Sequence, residues 1–160
     1  MKRVLLLLAG LTLASLCGFL PWTRSDAAEL LPVETLLVDI NEGSVRLTAA
    51  DGLEGNGVDL AEAMEDMRSQ APGELFFGQV SRVIASDRAV RLLADAAEDG
   101  LLRLNTAVYH CVTAATLAAT LQDLEPYWQA NEQRGSLTTL LEFCADGTRP
   151  IYINEEGRTE

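Results

Sequence analysis

The sequence predicts a mixed α/β domain, and three observations carry that reading. Thr35 to Ile40 is a β-rich run, followed by the turn signal Asn41-Glu42-Gly43 and by alternation of Val45, Leu47 and Ala49 with Arg46, Thr48 and Ala50. That pattern is an N-terminal hairpin with its glycine where a three-residue loop needs positive φ. Between Gly57 and Val112 the periodicity then reads helix, strand, helix, strand, and C-terminal helical patterns follow. A strand that returns to its neighbour through a helix predicts a partly parallel sheet.

Taken in order, Asp51 to Gly57 is glycine-rich and is expected to be a mobile loop. A helix opens near Asp59, with Glu62 as its capping-box partner and Leu60, Met64 and Met67 on one face; Ala71-Pro72-Gly73 stops it. The next strand, 74–85, places Phe76, Val80 and Ile84 on one face and Leu75, Phe77 and Val83 largely on the other. Apolar groups on both faces describe a central strand covered on both sides, so Phe76 and Phe77 are read as core. Ser86 is expected to cap a helix with Ala89, Leu93, Ala96 and Ala97 inward, closed by Gly100 as the C′ residue. Thr106 to Val112 is a second strand. Thr113 caps a helix carrying Leu117, Leu121 and Leu124 that Pro126 breaks or kinks. Ser136 caps a short one with Leu137, Leu140, Leu141 and Cys144 on one face, ended by Gly147. Arg149 to Ile153 reads as extended.

Residues 1–28 are set apart by composition. Lys2 and Arg3 precede an uncharged, Leu- and Ala-rich run from Val4 to Leu20, the pattern of an export signal. Three fates are open. Val4 to Trp22 would span about 28 Å as a helix, enough for an uncleaved membrane anchor. Ser25-Asp26-Ala27 offers small residues for signal peptidase. Cys17 offers lipidation, although Leu stands where a lipobox takes Gly, Ala or Ser. Each fate puts residues 29–160, a single mixed α/β domain, outside the cytoplasm, with membrane contact through the N-terminal segment only. The formal net charge is −12, and loss of the leader removes Lys2, Arg3 and Arg24 against Asp26 alone. A surface this acidic repels phosphate backbones and anionic headgroups, which argues against nucleic acid as a partner.

The segment Leu75 to Ile84, with Gly57 to Met67 and Arg103 to Val108, resembles the N-terminal domain of the Ger(x)C family, the C subunit of spore nutrient-germinant receptors. The tail Thr138-Thr139-Leu140-Leu141-Glu142-Phe143, followed by Gly147-Thr148-Arg149-Pro150, is similar to that domain's end. Gln79 stands where the family commonly has His. The resemblance implies a stand-alone, truncated relative with no catalytic role and no cofactor, whose partner is a multi-spanning membrane subunit of a germination receptor.

Residues with chemical potential are few. His110 is the sole histidine, and as the strand neighbour of Cys111 it must point to the opposite face, which argues against a Cys-His pair. One His and two exported Cys fall short of a zinc site. The loop 51–57 holds three oxygen-bearing side chains but lacks EF-hand spacing and P-loop Lys-Ser/Thr. Cys111 and Cys144 form a candidate disulfide outside the cytoplasm, against the alternative of two buried thiols. Gln79 follows the break in apolar alternation at Gly78, and the segment Gly78, Gln79, Ser81 and Arg82 is the candidate docking surface. The expected function is a non-catalytic exported or membrane-anchored accessory or scaffold domain in spore germination. The alternative is an exported domain that binds a small ligand or cation and has no part in germination.

Overall fold

The computed structural model describes residues 30–112, Leu117, Trp128 and 137–154. The chain forms a six-stranded mixed sheet with helices against it, a mixed α/β architecture in which the parallel and antiparallel parts are segregated. The strands are β1 (Leu30–Pro32), β2 (Thr35–Asn41), β3 (Ser44–Ala49), β4 (Glu54–Gly57), β5 (Glu74–Phe76), β6 (Arg82–Ser86), β7 (Ala107–Cys111) and β8 (Ile151–Tyr152). The helices bounded within the described residues are α1 (Leu60–Gln70), α2 (Leu92–Glu98) and α3 (Leu140–Asp146). The main sheet runs β4-β3-β2-β6-β7-β8; β4, β3 and β2 are antiparallel neighbours, and β2, β6, β7 and β8 are parallel.

Side-chain alternation divides the core in two. Leu36, Val38, Leu47, Val83, Ala85 and Val108 join residues of α1, α2 and α3 on one face. Leu37, Ile84, Ala107, Tyr109, Cys111 and Ile153 meet Leu117 and Trp128 on the other. The period-2 geometry of a strand forces this partition. The central strand is β6, all five of whose residues are buried.

The hairpin forms as its sequence dictates, with a tighter turn than expected. Asn41 pairs with Ser44, so the loop is Glu42-Gly43, and both residues take positive φ (51° and 85°). This is the handedness that matches strand twist in two-residue hairpins.

The stretch expected to be a mobile loop is instead strand β4, paired with β3 from Val45↔Gly57 to Thr48↔Glu54. Its glycines serve close approach. A Cβ on Gly55 would fall on the Ala63 carbonyl oxygen and 2.7 Å from Met67 Cβ; one on Gly57 would lie 2.8 Å from Glu62 Cβ. Helix α1 thus lies directly on the backbone of β4. Asp66 of α1 accepts the outward Asn56 N–H (2.8 Å), satisfying a donor that an edge strand would leave open. The helix starts as expected: Asp59 Oδ1 accepts the Glu62 N–H (2.8 Å), while the Glu62 carboxylate reaches the Val58 N–H (2.8 Å). Leu60, Ala63, Met64 and Met67 are its buried stripe.

The largest departure concerns residues 74–85, which do not form one strand. β5 pairs in parallel with β1 from Leu30↔Glu74 to Pro32↔Phe76, a strand with no sequence signal of its own. Pairing resumes at Thr35↔Arg82. Two residues, Val33 and Glu34, therefore stand opposite five, Phe77 to Ser81. The surplus bulges out through a 3₁₀ turn at Phe77–Gln79, closed by the Val80 N–H donating to the Phe77 carbonyl (3.0 Å). The inserted residues reverse the facing inferred from simple alternation. Phe76 is 37 % exposed, with its ring over Gly78, whereas Phe77 is 6 % exposed and in the core.

Two helix boundaries also differ, the starts of α2 and α3. Ser86 ends β6 rather than capping a helix: the chain turns over 87–91 before α2 begins, and no hydrogen-bond partner of the buried Ser86 hydroxyl is found among the described residues. Gly100 (φ 69°) closes α2 as expected, with the Leu101 N–H donating to the Ala96 carbonyl (2.9 Å). The expected Ser136 cap and the helix face Leu121 and Leu124 lie outside the described residues, as does 1–28. Helix α3 is capped by Thr139, whose hydroxyl accepts the Glu142 N–H (3.3 Å) while Glu142 accepts the Thr139 N–H (2.9 Å). The Thr139 N–H, and after it the Thr139 hydroxyl donating to the same carboxylate (3.0 Å), hold the Glu142 carboxyl below its usual range. With this later start only Leu140 of α3 is buried; Leu141 and Cys144 face outward. Among the described residues no helix is long and apolar enough to cross a membrane.

Candidate functional site

The bulge at 77–81 places a cleft at the amino ends of β6 and β7. Its lining is Gln79, Val80, Ser81, Arg103, Asn105, Ala107 and Leu137, around about 230 Å³. That is below the ~300 Å³ at which drug-sized pockets begin, so the space suits a group of side-chain size. Hydrogen bonds to backbone carbonyls hold its walls. The Ala107 N–H donates to the Ser81 carbonyl (2.8 Å), and the buried Thr106 hydroxyl donates to the Val80 carbonyl (2.9 Å). The Leu140 and Leu141 N–H groups donate to the Thr106 and Leu104 carbonyls (both 2.8 Å).

The candidate docking segment divides within this arrangement. Gln79 and Ser81 are exposed at the cleft, and the Ser81 hydroxyl donates to the Glu34 carbonyl (3.2 Å). Gly78 is half-buried beneath the Phe76 ring, where a Cβ would lie 2.6 Å from the ring's tip. Arg82 is a correction: it is 4 % exposed, with Nη1 3.3 Å from the Thr35 hydroxyl as donor. It begins the central strand, and its guanidinium is structural rather than offered to a partner. Sequence reasoning passed over Arg103, Asn105 and Leu137 as site residues. The signal was an exposed Arg and Asn flanking a strand start in a chain dominated by carboxylates.

Arg103 is exposed, and its guanidinium makes no ion pair or hydrogen bond among the described residues. Among the described residues, the cleft lining contains this one cation, two side-chain amides and no carboxylate, on a chain of net charge −12.

At the opposite, carboxyl ends of the strands lie Ser86 and Cys111, register partners, with Asp39 next along β2 from Val38↔Ala85. Cys111 is 2 % exposed, and its thiol is pushed up to about 12, first by burial and then by the negative charges of Asp39 and Asp87. Near neutral pH it is the protonated thiol, a poor nucleophile. His110 points to the other face, as its position beside Cys111 requires. Its Nδ1 lies 3.0 Å from Asp87 Oδ1 and its ring meets Tyr152 edge-on at 5.1 Å. Among the described residues no group of three His, Cys, Asp or Glu side chains is placed to hold a metal ion.

The candidate disulfide is also corrected: Cys111 and Cys144 are both free. Cys111 belongs to the core on the Trp128 face, whereas α3 packs with α2 on the other, and Cys144 is on its solvent side. The sheet itself separates the two thiols. Iodoacetamide is therefore expected to modify Cys144 in the native full-length chain and to reach Cys111 only on unfolding, read by peptide mass spectrometry. The same burial predicts an alkaline effect. Because the folded pKa of Cys111 is raised, its contribution to stability is complete below the unfolded value near 9.0 and is lost as pH rises toward 12. Cys111→Ser should flatten that part of the unfolding-midpoint profile.

No family model, curated protein or solved structure matches this chain.

Proposed function

We propose that this chain is a non-catalytic, extracytoplasmic docking domain that engages a multi-spanning membrane subunit of the spore-germination apparatus through the cleft at Gln79. The observation that carries the docking element is the bulge: five residues against two lift the turn that ends at Gln79 out of the sheet, with Ser81 exposed at its foot and Arg103 beside it. Bulges re-aim side chains at the places where a sheet does work. The germination context and the membrane partner rest on the resemblance of Leu75 to Ile84 and Arg103 to Val108 to the Ger(x)C N-terminal domain, and the compartment rests on the composition of residues 1–28.

The reading has a direct biological test. Transcription of the gene is expected in the forespore, together with genes for multi-spanning receptor subunits. Expression confined to vegetative growth would contradict the germination role and leave the small-ligand alternative.

A further inference from the structure

Four features of the cleft converge on one ligand chemistry. Arg103 supplies a planar cation with five N–H donors and has no carboxylate partner among the described residues. Gln79 and Asn105 add side-chain amides, which can donate to the same anion. Val80, Ala107 and Leu137 supply an apolar wall beside these donors. No acidic residue among those described lines the space, although 24 of the chain's 160 residues are Asp or Glu. An unpaired guanidinium flanked by amide donors is suited to bidentate recognition of a planar carboxylate. The volume, about 230 Å³, has room for a carboxylate with one apolar substituent and excludes nucleotide-sized anions.

We infer that the Gln79–Arg103 cleft is a recognition site for a carboxylate bearing a neighbouring apolar group, such as the C-terminal residue of a protein or a free small acid. This deepens the docking reading and rests on it for the site's use in the cell. The Arg103 guanidinium takes the two carboxylate oxygens, the Gln79 and Asn105 amides fix its orientation, and Leu137 receives the apolar substituent. Exposed Leu104 and Leu141, joined by the bond from the Leu141 N–H to the Leu104 carbonyl (2.8 Å), lie next to Arg103 and Asn105 along the chain or across that bond. They offer apolar surface to whatever extends beyond the cleft.

The test is an NMR titration of the isotopically labelled full-length chain in detergent micelles, using N-acetyl-leucine and its amide, N-acetyl-leucinamide, as probes. N-acetyl-leucine is expected to shift the amide resonances of residues 79–81 and 103–107. The neutral amide should bind at least tenfold more weakly, and Arg103→Gln should weaken the acid by a similar factor. Arg91→Gln, on the exposed start of α2, should leave it unchanged. A six-residue peptide ending in leucine separates the sources: tighter binding than the single residue identifies a polypeptide C-terminus, and equal binding identifies a free acid. Equal affinity for acid and amide, or shifts that survive Arg103→Gln, would overturn the inference. Absence of acid binding while Gln79→Ala still impairs germination would overturn carboxylate recognition and leave docking intact. Arg103-dependent acid binding without any germination defect would do the reverse.

Discussion

Phe77→Ala is expected to destabilise the protein by about 3–5 kcal/mol, the range for removing a buried aromatic ring and leaving a cavity. The ring is 6 % exposed within the core under α1, and the Arg68 guanidinium lies over its outer face at 5.0 Å from the centroid. Phe76→Ala, one residue away, should cost only about 1 kcal/mol, because that ring is 37 % exposed and its contact is with Gly78 at the surface of the bulge. Urea unfolding of the full-length chain measures both, with the slope unchanged. The contrast is the informative quantity. A continuous strand buried on both faces would make the two costs similar, and similar costs would refute the bulge.

Gly55→Ala is expected to cost about 3 kcal/mol, the upper part of the range for overpacking. The new methyl would meet the Ala63 carbonyl and lie 2.8 Å from the Met67 backbone nitrogen. These are main-chain atoms of α1 that cannot rotate aside, so the helix must lift from the sheet edge. Gly52→Ala provides the control. Its position has nothing within 4 Å but a φ of 84°, so the cost should be about 1–2 kcal/mol of backbone strain. The measurement is again the urea midpoint, and equal costs at the two sites would contradict close packing of α1 on β4.

These two substitutions also mark where sequence reading ends. The hairpin, the Asp59 cap, the stripe Leu60, Met64 and Met67, the parallel pairing of the strands at 82–86 and 107–111 and the Gly100 stop were legible because each depends on local chemistry or periodicity. The glycines of β4 were misread as a loop because close approach by a helix later in the chain leaves the same sequence trace as flexibility. Strand β1 was invisible for a related reason: three residues ending in proline carry no alternation, and only pairing with β5 makes them a strand. The bulge was half legible. Gly78 interrupts the apolar alternation, which pointed to Gln79, but the number of surplus residues depends on β1 and cannot be read from 74–86 alone. Phe76 was consequently assigned to the core and Arg82 to the surface, the reverse of what register dictates. Arg103 and Asn105 join the site through tertiary contact, and the thiols are separated by the sheet, a fact of topology rather than spacing.

The proposal that this chain acts in germination, with the amino end of β6 and β7 as its working surface, is most directly tested by nutrient-induced germination of spores carrying single substitutions. Gln79→Ala and Arg103→Gln change exposed side chains, so both should slow the response at an unchanged unfolding midpoint. His110→Ala, at the opposite end of the sheet, should alter it only in proportion to the folded protein that remains. A response preserved in Gln79→Ala and Arg103→Gln but lost in His110→Ala at an unchanged midpoint would contradict the account and place the function at the Asp87–His110 end.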